Sequence, residues 1–371
     1  METKNLETLK IHRLSQAQYD RELEAGNIDE NAIYLTPEER IEYIPTPKLP
    51  RKRKWKSVCY GNGVFVACSN GDDFEPIGIA YSTDGATWTK TNGVSEEGYY
   101  DCACYGNGKF VVFGENIGGG KGCYSTDGIH WTKFEECPAI ENGVVTSVCY
   151  GNGKFVAVTA EGDDFLIYSE DGIHWNTAEN PVSPHNFYAV CYGNGRFLAV
   201  GRGNQCICSI DGIHWQESPL PLSSIYRSIC YGNGVFITVE SDGNEEAPFY
   251  TYAEEEGSVE WYEATGVDSG TNAMRVCYGN GKFIAYDTVS GIVACSTDGI
   301  NWTQYELEKE FPEWLSMCYG NGKYIAVGDS DKVAYSFDGI RWSDEAHLSD
   351  NASGLQQYID DRILGAIGGS Y

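Results

Sequence analysis

Residues 146–175 read TSVCYGNGKFVAVTAEGDDFLIYSEDGIHW. Thr146–Tyr150 is a short β-prone run. Asn152-Gly153 follows it, the pair best suited to a type I′ hairpin turn, because both positions need a positive φ. Lys154–Thr159 returns as a second strand, with Phe155 and Ala157 alternating with Val156 and Val158. Leu166–Ser169 reads as a third strand. Asp171-Gly172 turns it into a fourth around Trp175.

Working outward from this stretch, the same unit recurs along the chain. Cys-Tyr-Gly-Asn-Gly occurs seven times, starting at Cys59, Cys104, Cys149, Cys191, Cys230, Cys277 and Cys318, with spacings of 45, 45, 42, 39, 47 and 41 residues. A second motif follows six of the copies: YSTDGATW (81–88), YSTDGIHW (124–131), YSEDGIHW (168–175), CSIDGIHW (208–215), CSTDGINW (295–302) and YSFDGIRW (335–342). In the fifth repeat FYTYAEEEGSVEW (249–261) keeps Trp261 but not the turn. Four strands in roughly 40–45 residues is the signature of a propeller blade. The sequence therefore predicts an all-β fold: a seven-bladed β-propeller of four-stranded blades over residues 47–344. Residues 1–46 are expected to be an N-terminal attachment segment and linker. Residues 345–371 are expected to be a C-terminal helical tail, with Leu355, Tyr358, Ile359, Ile363, Leu364 and Ile367 at helical spacing.

The Ser-x-Asp-Gly-x-x-Trp turn resembles the Asp-box of sialidase-like propellers, one residue shorter between Asp and Gly. That resemblance implies a turn between the third and fourth strands of each blade. It speaks to folding rather than to activity. A sialidase would also use six blades, an arginine triad, a Tyr nucleophile with a Glu partner and an Asp acid/base. Beyond the linker the propeller holds only Arg196, Arg202, Arg227, Arg275 and Arg341, and no Arg-Ile-Pro motif. No catalytic residue is singled out.

The N-terminal pattern Ile11-His12-x-Leu14-Ser15-x-x-x-Tyr19, then Asn31-x-Ile33-Tyr34-Leu35-x-Pro37, resembles short N-terminal segments of phage and prophage tail-fibre or baseplate-associated proteins of Gram-positive bacteria. There such a segment runs from a helix into a strand. The resemblance implies attachment to a phage tail or baseplate protein, and hence a place in the virion.

Charge and composition narrow the partners. The chain of 371 residues carries 54 Asp+Glu against 26 Lys+Arg, a net charge of −28. Phosphate binding needs a basic surface, so no nucleic-acid partner is expected. The start lacks an apolar core and no run of about 18 apolar residues occurs, so neither a signal peptide nor membrane insertion is expected. The 14 cysteines are expected to be mostly free thiols. The repeated ones occupy one position in every blade, too far apart for pairing. His130, His174 and His214 precede the Trp of three Asp-Gly turns, where other repeats have Thr87, Asn301 and Arg341, so they read as rim residues rather than ligands. The run Arg51-Lys52-Arg53-Lys54 after IPTPKLP (44–50) reads as a solvated linker or a contact with an acidic neighbour.

The repeat also separates two faces. Asn-Gly and Asp-Gly hairpins, nearly constant, share one face. The other connections share the opposite face and differ in every repeat, as in SNGDDFEPIG (69–78), GENIGGGK (114–121) and GRGNQ (201–205). Loops on a rigid scaffold commonly carry recognition. The variable face brings aromatics (Phe74, Tyr99, Tyr100, Phe165, Tyr188, Tyr226, Phe311 and Trp314) and acids (Asp72, Asp73, Asp163 and Asp164). Asp242, Asp329 and Asp331 add further acceptors. Aromatic planes with carboxylates suit sugar rings or a protein partner. Five residues four places before the repeated Cys (Trp55, Tyr100, Phe187, Tyr226 and Trp314) also fit packing between blades. No cofactor is implied, although the paired acids could hold Ca²⁺. The expectation is a phage or prophage tail-associated adhesin that recognises a bacterial surface glycan or protein, with self-association through the C-terminal helix an open alternative. Two other readings stand beside it: a structural or decorating virion protein, and a glycoside hydrolase.

Overall fold

The computed structural model describes residues 46–70, 78–91, 98–116, 122–134, 137, 144–160, 166–179, 186–240, 249–252, 260–266, 275–287, 291–307 and 311–344. It also describes Arg21 and four short strands, Lys10–Arg13, Ala32–Leu35, Ile41–Ile44 and His347–Asp350. Arg21 is helical, and every other regular element among these residues is a β-strand.

The chain divides into two compact units. One is Met1–Pro47 with Glu345–Tyr371. In it Lys10–Arg13 pairs in parallel with Ala32–Leu35, and Ile41–Ile44 pairs antiparallel with His347–Asp350. His347–Asp350 falls within the stretch expected to be a helical tail and is a strand, where Leu348 stands opposite Tyr43. Residues 351–371, which carry the helical spacing, lie outside the described residues.

The other unit, Lys48–Asp344, holds all seven repeats. The third shows the pattern: Val144–Gly151, Lys154–Ala160, Leu166–Ser169 and Asn176–Thr177 pair in that order, each antiparallel to the last. All seven turn asparagines adopt φ between 41 and 47°, and the following glycines stay positive. Asparagine tolerates this region better than other side chains, which explains its recurrence.

The first strands of neighbouring repeats pack side by side, and that of the seventh packs beside that of the first. They are the innermost strands. Apolar residues of the second and third strands are buried between repeats, as where Val156, Val158 and Leu166 of the third meet Phe187, Val190 and Phe197 of the fourth. Each fully buried Val or Phe contributes on the order of 2 kcal/mol by leaving water. A tilted aromatic pair recurs with the motif: Tyr60–Phe65, Tyr105–Phe110, Tyr150–Phe155, Tyr192–Phe197, Tyr231–Phe236 and Tyr278–Phe283.

The last junction corrects the linker reading. The basic run lies inside a 14-residue strand, Lys48–Gly61. Its outer part pairs with the end of Lys323–Lys332: Lys54 opposite Asp329, Arg53 opposite Ser330 and Lys48 opposite Lys332. Lys48 also reaches Asp331 at 2.9 Å. The basic run is thus part of a strand paired with the seventh repeat, with Arg51, Lys52 and Lys54 exposed. The same device joins the fourth and fifth repeats, where Arg202 and Gly203 pair with Ile225 and Ser224.

Candidate functional site

The constant turns are occupied with their own construction. In the second repeat the Ser125 hydroxyl donates to Asp127 Oδ1 and accepts from Gly128 N–H. Asp127 Oδ1 also accepts from the N–H groups of Ile129 and His130, both at 2.8 Å. Trp131 Nε1 donates to Gly128 O. His130 Nδ1 lies 2.7 Å from Asp127 Oδ2, and His174–Asp171 and His214–Asp211 repeat that distance. Slight burial works to raise the Asp127 pKa, but the His130 side chain and the turn N–H groups hold it well below the usual carboxylate range. A carboxylate held this way is a poor proton donor or acceptor near neutral pH. The three histidines, 64–85% exposed, belong to the turns and do not converge.

The aromatic residues expected on the variable face divide. Tyr100, Tyr226 and Trp314 are buried to 5%, 0% and 3% exposure; a ring packed between repeats offers no face to a ligand. Tyr100 packs with Cys68, Ile79 and Phe110. Tyr226 packs with Leu220 and Phe236, its hydroxyl donating to Leu222 O. Trp314 lies 5.6 Å from Tyr286 and 4.6 Å from Trp342, ring to ring. Tyr188 and Phe311 are half-buried. Tyr99 lies on the strand Gly98–Gly106, but its side chain is outside the described residues, as are Phe74, Phe165, Asp72, Asp73, Asp163 and Asp164.

A different set of residues stands at the loop-side start of the innermost strands. In six repeats the ladder between the first and second strands slips by one residue three places before the Cys. The shifts fall between Trp55/Ser57, Tyr100/Cys102, Val145/Ser147, Phe187/Ala189, Tyr226/Ser228 and Trp314/Ser316. The extra residue of such a bulge leaves the ladder and re-aims its side chain. Here it is Lys56, Asp101, Thr146, Tyr188, Arg227 or Leu315. Arg227 is exposed and the others are half-buried.

These residues touch across repeats. The Arg227 guanidinium lies over the Tyr188 ring, 5.2 Å from its centroid. Thr146 Oγ1 donates to Phe187 O at 2.7 Å. Asn70 Nδ2 donates to Asp101 Oδ1 at 3.1 Å. Immediately after the bulge a serine locks each junction it occupies. Ser57, Ser147, Ser228 and Ser316 accept from the N–H groups of Ala103, Val190, Val276 and Val58 in the next repeat. In the sixth repeat Arg275 takes that place, its Nε donating to Leu315 O at 3.0 Å. Burial lowers the Arg275 pKa; Tyr286 opposes this, Arg227 lowers it further and Glu313 raises it.

Of this set only Tyr188 is singled out from the sequence, although a signal for the rest exists. Aligned on the Cys, the position three before it carries Lys, Asp, Thr, Tyr, Arg, Met and Leu in turn. The position before it carries an aromatic in five repeats, and the position after it carries Ser in four. Variation at one place, between two that barely vary, marks side chains the scaffold does not need.

The fourteen cysteines are free thiols. Burial pushes Cys59, Cys191 and Cys277 up to about 12. Such thiols are inert rather than nucleophilic. Among the described residues no group of three or more His, Cys, Asp or Glu could hold a metal ion, and the acids read as Ca²⁺ ligands lie outside them.

No known family's sequence model matches the chain, and no curated protein matches it in sequence. Solved structures do resemble it. Virginiamycin B lyase from Staphylococcus aureus aligns at a TM-score of 0.63 with 12% identity, over 80% of this chain and 98% of the lyase. YCF48 from Cyanidioschyzon merolae gives 0.58 with 14% identity, over 79% and 97%. The WD40 β-propeller domain of Doa1 gives 0.52 with 15% identity, over 79% and 97%. At these identities the likeness establishes the fold alone, a β-propeller-like all-β architecture.

Proposed function

We propose that the chain is a binding protein whose seven repeats form the seven blades of one propeller, and that its ligand seats on the variable-loop face, over the ends of the innermost strands. The observation that carries this is the bulge residue: six times the scaffold lifts one side chain out of the ladder, and each time the side chain is chemically different. A repeated backbone device with changing side chains suits recognition of an asymmetric ligand. Tyr188 offers a half-buried ring, Asp101 and Thr146 offer acceptors, and Lys56 and Arg227 offer cations. Rings beside polar groups suit sugars, where C–H faces stack and hydroxyls bond.

The biological reading is a receptor-binding protein of a phage or prophage tail, with residues 1–46 as the attachment segment and a bacterial surface glycan or protein as the ligand. The N-terminal pattern supports it at the level of sequence resemblance. Tyr188→Ala is expected to weaken binding to a glycan array or to Gram-positive cells about tenfold, while His174→Ala on the constant face leaves it unchanged. Equal binding by both variants would move the ligand elsewhere.

A glycoside hydrolase or a lyase is the second reading, since one structural relative is an enzyme. It would require turnover that a single carboxylate substitution abolishes. The described acids of the constant turns are bound up in backbone hydrogen bonds, which favours binding over catalysis.

A further inference from the structure

The strand Lys48–Gly61 holds six of the chain's 26 Lys+Arg and no Asp or Glu, in a chain of net charge −28. Aligned on the repeated Cys, residues 48–54 carry five cations: Lys48, Arg51, Lys52, Arg53 and Lys54. The same places in the other six repeats carry one between them, Lys309. The blade scaffold therefore does not require the charge. Lys56, the bulge residue of the first repeat, continues the row to the loop-side start of the innermost strand.

The fold holds this row in place. Lys54 is paired on both sides, opposite Asp329 in one strand and Asn70 in the other. Trp55 is fully buried, and its Nε1 donates to Arg51 O at 3.1 Å. Arg51, Lys52 and Lys54 are nevertheless exposed, and Arg53 and Lys56 are half-buried. Successive residues of a strand point to opposite sides, so Lys52 and Lys54 share one side about 7 Å apart. Pairing brings Asp329 to the row, and Asp331 is held by Lys48 at 2.9 Å. Asp101 accepts from Asn70. Six cations against these three acids leave the row positive. Among the described residues Lys52, Lys54 and Lys56 enter no ion pair. Like charges kept side by side cost free energy, which an anion laid along them offsets.

We propose that Lys52, Lys54 and Lys56 form a docking seam for a linear, phosphodiester-linked glycan of the bacterial surface. Charge complementarity selects an anionic partner. The cations run in a row and do not converge, which suits a polymer charged on every repeat rather than a single small anion. Lysine ammoniums act on phosphate as point charges and need no planar partner. A duplex nucleic acid or a membrane would set a broad anionic face against a body of net charge −28. A single polymer chain need touch only the row. The row begins at Lys56, on the variable-loop face, so this inference rests on the reading of that face as the binding face and names its ligand class.

The test is binding of the full chain to immobilised polymers by biolayer interferometry. The probes are ribitol-phosphate teichoic acid, polygalacturonic acid, single-stranded DNA and neutral dextran. Binding to the teichoic acid is expected, tighter than to any other probe and weakened by added salt. The double variant Lys52→Gln/Lys54→Gln should bind it about tenfold more weakly. Both side chains are exposed, so its melting temperature should stay within a few degrees of the parent. Equal binding by parent and double variant would overturn the seam. So would binding indifferent to salt, no binding to the teichoic acid, or equally tight binding to DNA, polygalacturonic acid or dextran. If the seam fails, binding to Gram-positive cells that Tyr188→Ala weakens leaves the binding face standing. Absence of binding to the polymers and to every cell would overturn both the seam and the binding-face reading.

Discussion

The ring of Tyr60, in the first repeat, occupies the space that a side chain on Gly320, in the seventh, would fill. The same contact joins Gly61 to Tyr105, Gly106 to Tyr150, Gly151 to Tyr192, Gly193 to Tyr231, Gly232 to Tyr278 and Gly279 to Tyr319. Each step moves on by one repeat, and the seventh returns to the first. The Tyr-Gly dipeptide of the repeated motif is therefore a junction: the Gly of one repeat receives the Tyr of the next.

Gly320→Ala should destabilise the chain by about 1–3 kcal/mol through overpacking. Tyr60→Ala should also destabilise it, and the double variant should cost less than the sum because the two residues share one contact. Gly322, two residues on, has φ +77° and open space around it. Gly322→Ala should cost about 1–2 kcal/mol from backbone strain alone and add independently to Tyr60→Ala. Denaturant melts of the set check both statements.

The turn tryptophans should not be equivalent. Trp131 Nε1 donates to Gly128 O, whereas Trp175 Nε1 is buried without a partner. Either residue changed to Ala should cost about 3–5 kcal/mol. Changed to Phe, Trp131 should cost about 1 kcal/mol more than Trp175, because only Trp131 loses a hydrogen bond. Equal costs for the two Phe variants would contradict the hydrogen-bond assignment.

Acid stability should depend on the turn aspartates. Slight burial works to raise the Asp298 pKa, but the Asn301 N–H and side chain, the Ile300 N–H and Ser296 bring it from 3.8 to about 2. A carboxylate whose pKa is depressed on folding stabilises above its unfolded pKa, and that contribution is lost as pH falls through its folded pKa. Stability should therefore fall between about pH 4 and pH 2. Asp298→Asn should flatten that slope relative to the parent while lowering stability at neutral pH. Urea melts at stepped pH read the difference directly.

The closing strand pair makes its own prediction. Lys332 Nζ lies 2.8 Å from Asp344 Oδ2, and the Asp344 side chain is 3% exposed. Lys332→Met leaves a buried carboxylate without that partner and should cost about 1–3 kcal/mol. Adding Asp344→Asn should recover part of the loss. Thermal melts of the single and double variants check it.

What the sequence made legible is what the scaffold repeats. Asn152-Gly153 announces its turn because few residues tolerate φ > 0, and Ser169-x-Asp171-Gly172 announces the next because its side chains close the turn locally. Where a residue has two uses, sequence is ambiguous. Tyr226 and Trp314 look like surface anchors, yet they fill the space between repeats. Arg51–Lys54 looks like a solvated linker, because the strand it pairs with stands some 275 residues downstream, where Asp329 lies opposite Lys54. The bulge residues look like ordinary strand positions. Only the pairing register, which jumps from Phe187 to Ala189 and from Tyr226 to Ser228, shows that Tyr188 and Arg227 leave the ladder and meet.

The variable-loop face is proposed to bind a bacterial surface glycan or protein. The most direct measurement is binding of the fluorescently labelled full chain to a panel of Gram-positive cells, before and after periodate oxidation of their surface sugars. Binding to at least one strain is expected, lost after periodate and reduced about tenfold by Tyr188→Ala. Binding that survives periodate would contradict a glycan ligand and leave a surface protein, and an absence of binding to every strain would contradict the binding face itself.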